Sequence, residues 1–163
     1  MDRLWTPWRF AYLTQPGPKS ECIFCAKSAA PDDEANLIVY RGRECFVLLN
    51  LFPYNNGHVM IAPYAHVATL ADASREALIE MTLLLRETEK HLHAIYNSPG
   101  FNLGMNIGES AGAGVAGHIH MHMLPRWQGD ANFMTTIGET RILPEDLHTT
   151  WAKLRRAFQS GAR

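Results

Sequence analysis

The sequence lacks long apolar runs, and it lacks an excess of charge of either sign. No apolar run approaches the ~18 residues that suggest a membrane-spanning helix. The first ten residues, MDRLWTPWRF, also lack the apolar core of a signal peptide. With 15 basic and 16 acidic residues the formal net charge is -1, so no global field would attract nucleic acid or an anionic membrane. We therefore expect a cytoplasmic protein that binds neither.

Cysteine is also scarce. The three cysteines are Cys22, Cys25 and Cys45, and an odd number without a signal peptide argues against a disulfide framework. Two residues separate Cys22 from Cys25, a spacing that suits two ligands of one metal ion. Two alternatives stay open for this pair, namely a thioredoxin-like redox motif and two reduced, buried cysteines without a metal.

The order of the apolar segments predicts an α+β domain with an antiparallel sheet. A chain of 163 residues is long enough for one domain, which we place at residues 22–163 behind an irregular N-terminal arm at residues 1–21. Short apolar runs between turn residues predict strands, and apolar residues at helical spacing predict one long helix and one C-terminal helix. The predicted strands are 37–40, 45–49, 58–62, 101–107 and 118–124, and the predicted helices are 72–97 and 144–158.

The long predicted helix has an apolar face and two candidate caps. Asp72 or Ser74 can cap its first turn. His91 and His93 lie two residues apart and so face different directions, and we predict that both lie at the surface, as does His148. The apolar residues that share one face are Leu78, Met81, Leu85, Leu92 and Ile95.

Three histidines alternate with apolar residues in the segment GHIHMHMLPRW, residues 117–127. In a strand, His118, His120 and His122 would project from one face while the residues between them enter a core. Three neighbouring imidazoles repel one another when protonated, and they cost free energy when buried without partners. An exposed or ion-bound histidine face without chemistry is therefore the weaker interpretation. A metal site or nucleophilic chemistry at phosphorus suits the pattern better.

The loop before this segment, GESAGAGVAG at residues 108–117, is rich in glycine. Glycine lets a backbone approach a ligand closely and offer its N–H groups to an anion. The loop lacks the Gly-Lys-Ser/Thr of a P-loop, and a predicted strand follows it. Beside three histidines, it favours a phosphate-bearing ligand.

The segment His118-Ile-His-Met-His-Met-Leu124 resembles the signature of the histidine triad family, in which three histidines alternate with apolar residues. The resemblance runs from about Cys22 to Asp130 and includes Asn50-Leu-Phe-Pro, Gly57-His58 with Pro63, and Asn106-Ile-Gly108. The LWTPWR segment, Pro-Arg-Trp127 and Gly129-Asp-Ala-Asn-Phe133 are most similar to the diadenosine tetraphosphate phosphorylase branch. The fragile histidine triad hydrolases are the next most similar.

The resemblance implies a nucleotidyl transferase or hydrolase that acts on dinucleoside polyphosphates. His120 would attack the α-phosphorus to form a nucleotidyl-histidine intermediate, which phosphate or water would then resolve. His122 would bind phosphate oxygens, with His118 and His58 beside it in the catalytic group. The family pattern also implies a nucleotide-binding set, which consists of Asn50, Asn106, Gly112, Gly114 and Trp127. For Trp127, plain packing is an equally good alternative.

The resemblance further implies a structural zinc ion and a homodimer. Relatives with the same cysteine pair bind zinc through that pair, a histidine eight residues after the Gly-His dipeptide and the first histidine of the triad. In this sequence the set would be Cys22, Cys25, His66 and His118.

One departure from the family pattern concerns the glycine-rich loop. Many members have Gln and then Ser or Thr four and three residues before the first histidine, where this chain has Gly114 and Val115. The departure leaves the leaving group and the acceptor open. Two other functions also stay open, a nucleoside phosphoramidate hydrolase and a nucleotide-binding module without turnover, although the intact middle histidine argues against the module.

Overall fold

A computed structural model describes residues 22–130 and 143–161 of the chain. It contains five strands, β1 (Ile38–Arg41), β2 (Cys45–Leu49), β3 (Val59–Pro63), β4 (Gly100–Gly104) and β5 (Met121–Arg126). The strands form one antiparallel sheet in the order β1-β2-β3-β5-β4. The helices are α1 (Ile23–Ala29), α2 (Arg75–Tyr96) and α3 (Leu147–Gly161), and a short 3-10 turn spans Glu109–Ala111. The predicted α+β fold with an antiparallel sheet is confirmed.

Strands β2 and β3 are buried along their whole length because both faces of the sheet are covered. One face, here called the helix face, includes Val47 and Ile61 and packs against α2 and α3. The opposite face, here called the site face, includes Phe46 and Met60 and packs against Phe24 of α1. The continuous apolar runs CFVLL and VMIA are therefore the expected pattern for central strands.

Helix α2 begins and ends with capping interactions. The Ser74 hydroxyl accepts a hydrogen bond from the Ala77 N–H, and Asn97 ends the helix in the left-handed conformation, with φ of 47°. The buried face consists of Ala77, Met81, Leu84, Thr88 and Leu92, whereas Leu78, Leu85 and Ile95 are half-buried beside it. The face is thus centred on a slightly different line from the predicted one, because it includes Ala77, Leu84 and Thr88.

Several predicted boundaries differ from the structure. Strand β4 ends at Gly104 instead of residue 107, and β5 runs from Met121 to Arg126, so it excludes His118 and His120 and includes Pro125. Helix α3 begins at Leu147, because the Asp146 carboxylate caps it by accepting the Thr149 N–H.

One predicted surface residue, His91, is only partly exposed. The His91 ring is half-buried, because it packs against the ring of Phe158 at a centroid distance of 4.6 Å. His93 and His148 are exposed, as predicted. The predicted arm at residues 1–21 lies outside the described residues. Within residues 22–130 and 143–161, no helix combines the length and apolar character that a membrane crossing requires.

Candidate active site and metal centre

The three alternating histidines lie on either side of the point where strand β5 begins. The ladder between β3 and β5 starts with Ile61 opposite Met121, and His122 lies opposite Met60. His118 precedes this ladder at a bend, and the neighbouring Ile119 N–H donates to the Val67 carbonyl instead of to a strand. His118 and His120 are almost fully buried, with 1% and 5% of their surface exposed, and His122 is half-buried. The side chains therefore enter different surroundings.

The His118 ring faces the cysteine pair. Its Nδ1 lies 3.3 Å from the Cys22 Sγ and 3.6 Å from the Cys25 Sγ, and the His66 Nδ1 lies 3.4 Å from the Cys25 Sγ. Each of the four side chains offers one ligand atom, and these atoms all lie within 4.8 Å of one another. The structure therefore brings the four predicted metal ligands together as one possible metal centre.

The donor set has the dimensions that a tetrahedral zinc ion requires. Zinc-sulfur and zinc-nitrogen bonds of ordinary length place sulfur and nitrogen ligands about 3.6 Å apart. Three sulfur-to-nitrogen distances in the set, at 3.3 to 3.6 Å, fit this geometry. The other ring nitrogen of His118 donates to the Pro63 carbonyl at 2.8 Å, the outer contact that a metal-binding histidine normally makes. The residues present can therefore hold a metal ion.

The tautomer of His120 follows from its backbone contact. Its Nδ1 lies 2.9 Å from the His118 carbonyl oxygen, which can only accept a hydrogen bond, so Nδ1 carries the proton. Nε2 of a neutral ring then has a lone pair. Burial lowers the pKa of His120, while the bond to the His118 carbonyl acts in the opposite direction. A neutral imidazole with Nε2 unprotonated is competent as a nucleophile.

A chain of hydrogen bonds sets the tautomer of His122. The Tyr54 N–H donates to the Nδ1 of His58, so the His58 proton lies on Nε2, which donates to the Nδ1 of His122 at 2.9 Å. The His122 proton must then lie on its Nε2. Burial first and the neighbouring histidines second lower the pKa of His58 to about 3 and that of His122 to about 4. Both rings are therefore neutral near pH 7, and His122 offers an N–H donor beside His120, at a ring distance of 4.9 Å.

The residues predicted to bind the nucleotide are spread over three loops. The Asn50 side-chain oxygen accepts the Phe52 N–H, and the backbone N–H of Asn50 donates to the His58 carbonyl, so Asn50 lies at the start of the loop that leads to His58. Asn106 donates to the Gly112 carbonyl and closes the glycine-rich loop, where Gly112 has φ of 84°. Gly114 lies exposed on the same loop.

Trp127 lies beyond the end of β5. Its indole N–H donates to the Tyr96 carbonyl at 3.4 Å, and the two rings meet edge to face at a centroid distance of 6.3 Å. These contacts favour the packing alternative for Trp127 over stacking on a ligand. Val115 packs against the site-face core that contains Phe24, so the position that often has a polar residue in the family here contributes to the core.

Sequence analysis did not identify four groups at the site. The Tyr54 N–H, the Pro63 carbonyl and the His118 carbonyl orient the imidazoles through backbone atoms. A side-chain pattern contains no signal for such atoms. The fourth missed group is the Phe24 ring, which contacts both His118 and His120. Its place between Cys22 and Cys25 was a usable signal.

Comparisons with known proteins point to one family. Residues 33–129 match a family model described as the HIT domain. The AP-4-A phosphorylase of Mycobacterium tuberculosis is 41% identical over 160 residues, covering 92% of this chain and 80% of that protein. An asymmetrical bis(5'-nucleosyl)-tetraphosphatase of Schizosaccharomyces pombe is 28% identical over 93 residues, covering 57% of this chain and 50% of that protein. A zinc-bound histidine triad family protein from Mycobacterium smegmatis has a similar structure, with a TM-score of 0.68, 26% identity and coverage of 86% and 94% of the two chains.

Proposed function

Because this chain belongs to the histidine triad (HIT) family, we propose that it is an enzyme that cleaves dinucleoside polyphosphates at an α-phosphorus. The similarity to an AP-4-A phosphorylase over most of both chains supports this substrate class, as does the match to a tetraphosphatase. Diadenosine tetraphosphate is the substrate we expect to be cleaved fastest among those tested below.

The observation that carries the proposal is the pair of complementary tautomers at His120 and His122. The His118 carbonyl leaves a lone pair on the Nε2 of His120, and the relay from Tyr54 through His58 leaves an N–H on the Nε2 of His122. A nucleophile beside a neutral hydrogen-bond donor is the arrangement that attack at a phosphate ester needs. Fixed backbone atoms hold both states, so neither ring has to reorganise during the reaction.

The proposed reaction has two steps. The Nε2 lone pair of His120 attacks the α-phosphorus, an N–P bond forms, and the P–O bond to the remaining polyphosphate breaks. With diadenosine tetraphosphate the departing group is ATP, and AMP stays on His120 as a nucleotidyl-imidazole. In the second step an oxygen of phosphate or water attacks the same phosphorus and breaks the N–P bond. Phosphate yields ADP, and water yields AMP.

The other predicted residues take binding roles in this proposal. The His122 N–H donates to the α-phosphate oxygens, and His58 holds His122 in the correct tautomer. Asn50 binds the ribose hydroxyls, and Asn106 with Gly112 and Gly114 lines the polyphosphate path. Trp127 is proposed only as packing beside this path. His118 contributes its carbonyl oxygen to the catalytic group and its ring to the metal centre.

We also propose that the metal is zinc, bound by Cys22, Cys25, His66 and His118. The mixed sulfur and nitrogen donor set is typical of structural zinc, and four protein ligands leave no open position for a substrate. When bound, zinc would stabilise the fold by crosslinking α1 to the segment before β5. No reaction step passes through it.

Product analysis tests the function and identifies the acceptor. The purified protein is incubated with diadenosine tetraphosphate, with and without inorganic phosphate, and the nucleotides are quantified. ADP and ATP formed only with phosphate identify a phosphorylase, whereas AMP and ATP in both conditions identify a hydrolase. His120→Ala should lower turnover by at least about a thousandfold. The exposed His148→Ala variant is the control and should keep full activity.

The same assay separates the alternatives. An adenosine phosphoramidate is tested in parallel, and faster cleavage of its P–N bond than of diadenosine tetraphosphate would favour a phosphoramidate hydrolase. Nucleotide binding without turnover of either compound would favour a binding module. Unchanged turnover in His120→Ala would refute the proposed nucleophile.

A homodimer is the proposed assembly, and strand β4 is its proposed contact. β4 is an edge of the sheet, and its residue Leu103 is 53% exposed. On α2, Ile79 and Leu83 are also about half exposed. An exposed edge strand with apolar residues tends to pair with another chain. Leu103→Lys should therefore shift the mass measured by light scattering from two chains to one. The cytoplasmic location stays a prediction from the sequence.

A further inference from the structure

One aromatic ring joins the metal centre to the candidate nucleophile. Phe24 lies between Cys22 and Cys25 in the first turn of α1, and only 1% of its surface is exposed. Its ring lies 4.6 Å from the His120 ring, at an interplanar angle of 37°, and 5.2 Å from the His118 ring. These distances are within the range of direct packing between rings. Phe24 therefore contacts both imidazoles.

The hydrogen bond from His120 alone does not define the orientation of its ring. The bond from Nδ1 to the His118 carbonyl fixes one edge, but the ring can still tilt about that bond, and a larger rotation would break the bond and leave the Nδ1 tautomer unfixed. An apolar ring packed against one side of the imidazole restricts the tilt, because close-packed interiors leave no room for it. The direction of the Nε2 lone pair then depends on Phe24.

Phe24 is in turn held by the segment that contains the cysteines. The Cys22 carbonyl accepts the Ala26 N–H at the start of α1. At the other end of this short helix, Arg41 donates to the carbonyls of Ser28 and Ala30. The two cysteines on either side of Phe24 lie within 3.6 Å of the His118 ring. A metal ion bound there would therefore restrain Phe24 from both sides.

We propose that Phe24 is a positioning residue that holds the His120 ring in the orientation for attack and couples the metal centre to it. The proposal rests on the function assigned to His120 above. It adds a second role for the cysteine segment, since the metal centre would orient the nucleophile as well as stabilise the fold.

Replacing the ring while keeping its apolar character tests this role. Phe24→Leu is compared with Phe46→Leu, which removes a ring from the same core; Phe46 stacks on Tyr64 at 5.3 Å and is the matched control. The His120 tautomer is measured from the ring 15N chemical shifts above neutral pH, with His120→Ala for assignment. Phe24→Leu should change the shifts from those of a single Nδ1-protonated form toward averaged values. Phe46→Leu should leave them unchanged.

Steady-state kinetics provide the second measurement. A displaced nucleophile lowers the rate by about ten- to a hundredfold, so Phe24→Leu should lower kcat by this factor and leave KM within about twofold. Phe46→Leu should affect neither constant, although it loses a similar amount of stability. Should Phe24→Leu not fold, Phe24→Met with Phe46→Met replaces the pair.

Wild-type 15N shifts in the Phe24 variant, with no larger loss of kcat than in the Phe46 variant, would overturn the proposal. The NMR measurement does not need turnover, so it distinguishes failure of the positioning role from failure of the proposed function. Failure of the proposed function would be revealed by an active His120→Ala variant.

A second experiment tests the coupling between the metal centre and His120. Zinc removal by a chelator should change the His120 shifts of the wild type in the same way as Phe24→Leu does. In the Phe24→Leu variant, zinc removal should cause no further change. Unchanged His120 shifts after complete zinc removal would refute the coupling.

Discussion

Two sides of the site differ in what their histidine ring nitrogens contact. The sulfur side consists of Cys22, Cys25, His66 and His118, and the histidine side consists of His58, His120 and His122. On the sulfur side, imidazole nitrogens face thiol sulfurs, and the second nitrogen of His118 donates to a carbonyl. On the histidine side, the nitrogens face backbone atoms or another imidazole. The same residue type is thus placed to bind a metal on one side and, in the proposed function, to react or to donate a hydrogen bond on the other.

The start of strand β5 separates the two sides. His122 lies within the ladder, opposite Met60 on β3 and Gly104 on β4, so its side chain must project from the site face. His118 lies at a bend before the ladder and can turn toward α1. His120 lies between them, and its ring packs between Phe24 and His122. The proposed division of roles therefore follows from where the hydrogen-bonded ladder begins.

Removing a sulfur ligand should have the largest effect on stability and should separate the two sides. Cys25→Ser should abolish zinc binding, and the lost linkage amounts to about 4 kcal/mol of unfolding free energy when free zinc exceeds Kd a thousandfold. Zinc content is measured by elemental analysis, and stability by urea unfolding. Cys45→Ala is the matched control: its thiol is buried against the Ala77 carbonyl and is not part of the ligand set, so one zinc per chain should remain. Full zinc content in Cys25→Ser would contradict the assigned ligands.

Breaking the relay on the histidine side should have the next largest effect. His58→Leu removes the N–H that fixes the His122 tautomer, and loss of one aligned donor to a reacting phosphate costs about a hundredfold in kcat, or about 2.7 kcal/mol. His58→Gln is the matched variant, because its amide can still donate to the His122 Nδ1 and should retain most of the rate. Neither change should alter zinc content. Equal kcat values for the leucine and glutamine variants would show that the donated hydrogen bond is not the cause.

Side-chain patterns in the sequence are enough to predict the sheet, the long helix and the group of histidines. The run CFVLL and the alternation around His120 depend only on local spacing, and Ser74 is a good cap in any sequence context. The resemblance to the family, with the triad as its most specific part, is confirmed by the match over residues 33–129. The ligand set and the residue roles remain predictions that the geometry supports.

The beginning of β5 could not be predicted, because it depends on tertiary pairing. Residues from His118 onward have the alternation of a strand, but the ladder with β3 begins only at the pair of Ile61 and Met121. The identity of the backbone atoms that set the tautomers was equally inaccessible, since the fold alone brings these carbonyls and N–H groups near the rings. On α2, the distinction between Leu84 as buried and Leu85 as half-buried depends on the angle at which the helix lies on the sheet.

Near neutral pH the smallest predicted effect is on the pH dependence of stability, and it concerns the histidine side alone. The folded protein holds the pKa of His58 at about 3, whereas an unfolded histidine has a pKa of about 6.5. Above pH 6.5 the ring is neutral in both states, so it contributes no pH dependence. Below that value the unfolded chain takes up a proton that the folded protein excludes, so stability falls as the pH falls, by about 1.4 kcal/mol for each pH unit.

His58→Gln isolates this contribution, because glutamine has no titrating group and every other histidine stays in place. The free energy of unfolding of the wild type should fall more steeply than that of the variant between pH 6.5 and pH 4, with a difference in slope of about 1.4 kcal/mol per pH unit. Above pH 7 the two curves should be parallel. The measurement is urea unfolding across this range, and zinc is present in excess throughout so that titration of the sulfur side contributes equally to both proteins. Curves that are parallel below pH 6.5 as well would mean that His58 takes up its proton in the folded state, and the neutral relay to His122 would then be wrong.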